Sequence, residues 1–209
     1  MTSENSPTVN AAPSVILASS SKSRETLLRN AGLNFEIAPA SVDEEEMKHS
    51  MQAAGASAAE TAVALAELKA IRISRHFPDH YIIGADQMLE CGSLWFDKPI
   101  DKEHARAHLT TLRGKTHKLQ NAVCVVKTSA VIWHHVNEAR MNMRKFSDDF
   151  LDQYMEMAGD DILLSVGAYQ LEGVGAQLFN KVDGDFFSIL GLPLLPLLDF
   201  LRGHKVVVA

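Results

Sequence analysis

The 209-residue chain is 46% hydrophobic and 22% charged, a profile typical of a globular protein long enough to bury a core. Its formal net charge of -6 does not favour a surface for nucleic acid polymers, so any anion site must be a local cluster of basic side chains. The longest apolar stretch, ILGLPLLPLLDFL, contains two prolines and falls short of the roughly 20 residues of a membrane span.

The chain begins MTSENSPTVNAAPS, which contains an acid and lacks an apolar centre, so we expect no signal peptide. We expect residues 1–12 to form a disordered tail and residues 13–209 to form a single domain.

The cysteines, Cys91 and Cys124, have neither metal nor redox spacing. This cysteine usage fits a reducing compartment and predicts a cytoplasmic protein.

Strands and helices are predicted to alternate through the first part of the chain. The segment SVILA, residues 14–18, predicts a buried strand, followed by a helix that ends at Gly32. A second short strand is predicted at 35–38. The sequence Ser57-Ala58-Ala59-Glu60 is a capping box, which predicts the start of a long helix that must end before Pro78.

The middle of the chain predicts a central strand in YIIGADQM, residues 81–88. A short return strand is predicted at 94–96. Asp101 is a suitable cap for a helix that runs to about Leu112 and is closed by Gly114.

The last third predicts two long antiparallel strands, at 119–127 and 131–144, followed by a helix capped by Ser147. Asp183-Gly184 is a strong hairpin signal and predicts paired strands at 176–182 and 186–189. A proline-containing helix is predicted to end the chain. The whole pattern predicts an α/β fold with a mixed, twisted sheet flanked by helices.

The segment LASSSKSR, residues 17–24, combines a strand end, a hydroxyl-rich loop and a helix start. Backbone N–H groups at such a helix start suit an anion, and Lys22 and Arg24 add positive charge. The alternative is that Ser21 or Ser23 merely caps the helix. The glycine and lysine spacing of a P-loop is absent, so the sequence does not support a kinase or ATPase motif.

Other polar residues allow either a functional or an ordinary interpretation. The acids at 43–46 suit either a solvated helix start or a Mg²⁺ site, and Asp86 ends a strand where α/β sheets bind ligands. Lys98 precedes a proline and, taken alone, is typical of an exposed turn. His104 and His108 have zinc-ligand spacing, but no third ligand is evident and a solvated helix face is favoured.

The motifs LASSSKSR, VDEE, ELKA, GADQ, DKP, LRGKTH, GAYQLEG and LGLPL, in this order, resemble the Maf family of septum-formation-inhibitor-like proteins. The resemblance covers roughly residues 14–202. It implies a fold like that of inosine triphosphate pyrophosphatases, with a cleft between two lobes. It also implies a homodimer with metal-dependent activity, which cleaves nucleoside triphosphates to monophosphates and pyrophosphate.

The resemblance also implies roles for particular residues. Asp86, Glu44 and Lys98 fall on catalytic positions, and Asp86 and Glu44 are the implied ligands of Mg²⁺ or Mn²⁺. The implied substrate-binding residues are Ser19, Ser21, Arg24, Lys69, Gln87, His117 and Glu172. The family usually has S-x-S-P-R-R where this chain has Ser21-Lys22-Ser23-Arg24, so Lys22 is expected to supply the charge of the missing arginine. Gly84 and Ala85 are expected to leave room for the substrate.

One branch of the family has G-A-D-T and Y-G-I-Q-G and hydrolyses thymidine and uridine triphosphates. This chain has GADQ and YQLEG in these segments, with Gln87 and Glu172 at the positions that differ. These residues instead resemble the branch that prefers 7-methyl-GTP. A carboxylate can accept hydrogen bonds from guanine N1–H and N2–H₂, and it suits the positive charge of an N7-methylated base. Three alternatives stay open: a dTTP or UTP pyrophosphatase, a phosphatase that releases orthophosphate, and a non-catalytic nucleotide-binding regulator of cell division.

Overall fold

The computed structural model describes residues 15–207, which contain one seven-stranded sheet. Its strands are β1 (Val15–Leu17), β2 (Glu36–Ile37), β3 (Tyr81–Cys91), β4 (Leu94–Phe96), β5 (Thr116–Lys127), β6 (Ala130–Met143) and β7 (Phe179–Asp183). The strand order is β2-β1-β3-β5-β6-β7, with β4 paired to β3 beside this path. The predicted tail at 1–12 lies outside the described residues.

The helices are α1 (Lys22–Asn30), α2 (Glu44–Ala53), α3 (Ala58–Ser74), α4 (Lys102–Leu112), α5 (Asp148–Ala158), α6 (Phe186–Ile189) and α7 (Leu194–Gly203). Short 3-10 helices occupy Gly159–Leu164, Val166–Ala168 and Val174–Leu178. The caps predicted at Ser57, Asp101 and Ser147 are confirmed, because each side chain accepts a backbone N–H of the first turn. Within the described part of the chain, no helix has both the length and the apolar character needed to cross a membrane.

The sheet is mixed because its connections are of two kinds. β1 pairs in parallel with β2 and β3, and helices lie between these strands along the chain. From β3 through β5 and β6 to β7, all pairings are antiparallel. The predicted α/β class with a mixed sheet is therefore confirmed.

The hairpin predicted around Asp183-Gly184 is wrong in its second strand. Residues Phe186–Ile189 form α6 instead of a strand. The Asp185 carboxylate accepts hydrogen bonds from the Ser188 N–H at 2.8 Å and the Ser188 hydroxyl at 2.6 Å. This N-cap starts a helical turn immediately after the glycine, and only β7 remains of the predicted pair.

Apolar side chains pack on both faces of the sheet. Helix α3 covers one face, and α1 and α7 cover the other, while α4 and α5 cover a separate cluster around the far ends of β5 and β6. Successive side chains of β3 alternate between the faces, so Ile82 and Met88 pack on the α3 side and Ile83 and Ala85 on the other. The same alternation separates Asp86 from its neighbour Gln87.

Gly84 faces α3, so the expectation that Gly84 and Ala85 leave room for substrate is wrong. A Cβ atom on Gly84 would lie 2.2 Å from the Ala66 carbonyl oxygen and 2.8 Å from the Ala70 Cβ. Ala85 is fully buried in the core on the opposite face. The absence of a side chain at Gly84 therefore lets helix α3 approach strand β3 closely.

We expect Gly84→Ala to destabilise the protein by about 3 kcal/mol, because the new methyl group overlaps helix backbone that cannot move alone. The free energy of unfolding in urea measures the effect. Gly203→Ala is the control, since a Cβ there meets nothing within 4 Å. Equal stability of the two variants would contradict the close packing of α3 on β3.

Candidate active site

A cavity of about 610 Å³ opens between the loop after β1, helix α2, the loop after β4, and the segments 164–172 and 189–191. Almost all residues that the family resemblance assigns to the site line this one cavity. They are Ser19, Ser21, Arg24, Glu44, Lys69, Asp86, Gln87, Lys98 and Glu172. The exception is His117, which is fully buried and is not part of the cavity wall.

An acid–base cluster lies in the cavity, where α2 and α3 meet β3. The Lys69 Nζ lies 2.6 Å from Asp86 Oδ1 and 2.8 Å from Glu44 Oε1. Only 8% of the Lys69 side chain and 6% of the Asp86 side chain are exposed, against 43% for Glu44. One ammonium group therefore joins two carboxylates, and the pairing offsets the cost of burying Asp86.

The two carboxylates offer oxygen donors of the kind that a hard divalent cation uses. Asp86 Oδ2 is buried and has no hydrogen-bond partner among the described residues. Burial acts to raise the pKa of Glu44, but Lys69 and the more distant Lys48 and Arg24 outweigh it and hold that pKa below its usual value. No cluster of three or more His, Cys, Asp and Glu side chains suited to a metal occurs in residues 15–207. Mg²⁺ commonly uses only one or two carboxylates and takes its other ligands from water and phosphate.

The loop after β1 holds Arg24 in place. Arg24 Nε donates to the Gly191 carbonyl at 2.8 Å, and Nη1 donates to Ser19 Oγ at 3.1 Å. Ser21 caps α1 through a long contact of 3.5 Å from the Arg24 N–H. Burial lowers the pKa of Arg24, and the negative charges of Asp86 and Glu44 oppose that shift. Capping and a place in the cavity wall thus coexist at Ser21.

Lys22 does not replace the missing arginine, and that expectation is wrong. Its side chain is 87% exposed and pairs with Glu25 at 3.0 Å, away from the cavity. Position 22 is the first residue of α1, and its side chain points to solvent there.

A further cation, Lys48, was not singled out from the sequence. Lys48 lies one turn after Glu44 on α2, lines the cavity and pairs with Asp97 on the loop after β4. Burial acts against its charge, yet the hydrogen bond to Asp97 raises the pKa of Lys48. The available signal was the i,i+4 spacing of Glu44 and Lys48 on one helix face.

Lys98, also on the loop after β4, has no ion-pair partner within the described part of the chain. Removal from water and the positive charge of Arg24 lower its pKa. An ammonium group in this situation favours an incoming anion. Lys98 is therefore a free positive charge at the cavity wall.

Gln87 and Glu172 line the same cavity but differ in their contacts. Gln87 Nε2 lies 2.9 Å from Asn121 Oδ1 and 3.1 Å from each of the carbonyls of Ser188 and Ile189. Carbonyl oxygens only accept hydrogen bonds, so these contacts fix the NH₂ group against the protein and leave Oε1 as the group available to a ligand. Glu172 is exposed and has no ion-pair partner among residues 15–207.

His117 lies behind the cavity wall. Its Nε2 is 2.7 Å from the hydroxyl of Tyr169, and Tyr169 itself lines the cavity. Burial lowers the pKa of His117 to about 4, so the imidazole is neutral at pH 7. Direct substrate contact by His117 has no support in this geometry. Tyr169, like Lys48, is a residue that sequence reasoning missed, and its only signal was its place in GAYQLEG.

The histidines of α4 are not both solvated. His104 lines the cavity, whereas His108 is buried with its ring edge against Phe96 at a centroid distance of 5.1 Å. The expected solvated face is therefore wrong for His108, because α4 turns that side toward the core.

Comparisons with known proteins give one consistent result. A family model described as Maf-like protein matches residues 14–204. A Paramagnetospirillum magneticum protein named nucleoside triphosphate pyrophosphatase is 54% identical over 193 residues, covering 92% of this chain and 100% of that protein. A Granulibacter bethesdensis protein of the same name is 53% identical, with 92% and 98% covered. A Rhizobium meliloti protein named 7-methyl-GTP pyrophosphatase is 47% identical over 190 residues, with 91% and 96% covered.

We expect Lys69→Met to destabilise the protein by about 3 kcal/mol or more at pH 7, because it leaves the buried Asp86 carboxylate without the ammonium group that is hydrogen-bonded to it. Urea denaturation measures the effect. Lys22→Met removes a lysine from an exposed ion pair and should leave the midpoint nearly unchanged. A Lys69 variant as stable as the Lys22 variant would show that the buried pairing is not required.

Proposed function

Because the chain belongs to the Maf-like family, we propose that it is a nucleoside triphosphate pyrophosphatase, a hydrolase that converts a nucleoside triphosphate and water into the monophosphate and pyrophosphate. The observation that carries the proposal is the cluster of Asp86, Lys69 and Glu44, of which the first two are buried, in a cavity shared with Arg24 and Lys98. Acidic side chains that can orient a water molecule lie there beside basic side chains that can stabilise the negative charge of phosphate groups. Relatives that cover almost the same length bear this activity in their names.

The chemistry divides among the cavity residues. Lys69 holds the Asp86 carboxylate through Oδ1, and the unpartnered Oδ2 orients the attacking water and accepts its proton. The water oxygen bonds to the α-phosphorus while the bond from that phosphorus to the bridging oxygen breaks, and pyrophosphate leaves. Arg24 and Lys98 stabilise the negative charge of the phosphate oxygens.

A divalent cation, Mg²⁺ or Mn²⁺, is part of this proposal. Asp86 and Glu44 would hold it, and the all-oxygen donor set that these two carboxylates offer in one cavity supports that assignment. When bound, the ion would neutralise negative charge on the triphosphate.

We propose 7-methyl-GTP as the preferred substrate, with Gln87 and Glu172 as the base-selecting residues. Gln87 Oε1 and the Glu172 carboxylate are both acceptors at the cavity wall, whereas guanine presents neighbouring N1–H and N2–H₂ donors. The negative charge of Glu172 also suits the positive charge of an N7-methylated purine. A Rhizobium meliloti relative is named for this substrate.

The assembly and location of the protein are also proposals. The family resemblance supports a homodimer. Both cysteines are free thiols, which agrees with a reducing cytoplasm.

The proposed reaction is tested with a panel of 7-methyl-GTP, GTP, UTP and dTTP, with Mg²⁺ or with EDTA, and separate assays for pyrophosphate and orthophosphate. We expect pyrophosphate release that EDTA abolishes.

Asp86→Asn should lower kcat by about a thousandfold, because it removes the proton acceptor. Asp199→Asn, an 87% exposed residue of α7, is the control. Orthophosphate release would indicate a phosphatase, and nucleotide binding without turnover would indicate a regulator.

We expect Glu172→Gln to reduce the preference for 7-methyl-GTP over UTP by about tenfold, because it removes the negative charge that favours the methylated purine. The measured quantity is the ratio of kcat/KM for the two nucleotides. Glu156→Gln on the exposed side of α5 is the matched control. An unchanged ratio in the Glu172 variant would remove this residue from base selection.

A further inference from the structure

The segment 165–172, which forms one wall of the cavity, has a strained backbone. Gly167 and Ala168 are consecutive residues with positive φ, at 78° and 61°. Glycine tolerates this conformation, but an alanine there is unfavourable and persists only where the surroundings hold it. These two residues precede Tyr169 and Glu172, which line the cavity.

Core contacts hold this turn. The Tyr154 hydroxyl donates to the Ala168 carbonyl at 3.0 Å, and Tyr154 is 1% exposed. Gly167 is packed so closely that a Cβ there would lie 2.6 Å from a methyl carbon of Leu89. The strain at Ala168 is thus maintained by buried neighbours on α5 and β3.

His117 holds the next residue of the segment. The His117 side chain is fully buried, and the hydroxyl of Tyr169 is its only polar partner among the described residues, because Nδ1 has none. Phe179 packs against both rings, with centroid distances of 6.0 Å to His117 and 4.8 Å to Tyr169. The imidazole is therefore fixed on β5 and restrains Tyr169 through a single hydrogen bond.

We propose that His117, acting through Tyr169, is a positioning residue that fixes the segment 169–172 and thereby sets the discrimination between nucleotide bases. The segment carries Glu172, whereas the acid–base cluster belongs to α2, α3 and β3. His117 has no hydrogen bond to any residue of that cluster within the described chain. This inference rests on the proposed function, and it assigns His117 to base selection and not to phosphate chemistry.

The test compares His117→Phe and Tyr169→Phe, which remove the hydrogen bond from either side while keeping an aromatic ring. Each should lower the ratio of kcat/KM for 7-methyl-GTP over UTP by about tenfold, mainly through the KM for 7-methyl-GTP, with a much smaller change in kcat. The double variant should be no worse than either single variant, because both act on one contact. His80→Phe is the control, since His80 also has a buried, unpartnered Nδ1 but precedes β3 and contacts Phe77, away from the cavity wall.

Dissociation constants for the two nucleotides, measured in EDTA by titration calorimetry, separate this inference from the proposed function. Wild-type protein that binds nucleotide but releases no pyrophosphate contradicts the proposed function, and the binding ratio then tests the role of His117. Ratios within twofold of wild type in both single variants would overturn the inference. The same holds if the variants lose only thermal stability, since a purely structural histidine would behave in that way.

Discussion

The ion pair between Lys69 and Asp86 is the interaction on which the site depends. A carboxylate as buried as that of Asp86 is costly without a counter-charge, and the ammonium group reaches it only because α3 lies close to β3 at Gly84. The same ammonium binds Glu44 and thereby brings α2 to the cavity. Three elements that are separate in sequence converge on one nitrogen atom. The packing of α3 on β3 therefore also determines where the charged groups of the cavity lie.

Local signals predicted the parts of the fold that are determined locally. The cap at Ser57 was found because a helix start needs a side-chain acceptor within three residues. The sequence predicts a strand at Phe186–Ile189, whereas the structure has a helix there. A hairpin signal and the Asp185 cap overlap at this point, and only the packing decides between them. The pairing of Lys48 with Asp97 joins residues 49 positions apart, and no sequence pattern around either residue predicts contact with the other. Contacts of this kind depend on the complete fold.

Motif letters predicted which residues lie together along one cavity, but they do not show what each residue does there. Arg24 lines the cavity as expected, while Lys22, two residues earlier, points to solvent because a helix turns successive side chains by about 100°. His117 belongs to the site only through Tyr169, which no spacing argument distinguishes from direct contact. A side chain that contacts the ligand and one that supports such a side chain have the same appearance in a single sequence.

Strand β3 places Asp86 against α3 and Gln87 against α6, on opposite faces of the sheet. The neighbours are joined by one peptide bond, yet within residues 15–207 their side chains have no hydrogen-bond partner in common. Mutations around α6 can thus alter what the amide of Gln87 presents without disturbing the surroundings of the carboxylate. Under the proposed role of Gln87 in base selection, this separation would let a lineage exchange one nucleotide for another while hydrolysis itself is preserved. The pleat of one strand thus gives two neighbouring residues of the same cavity separate supporting contacts.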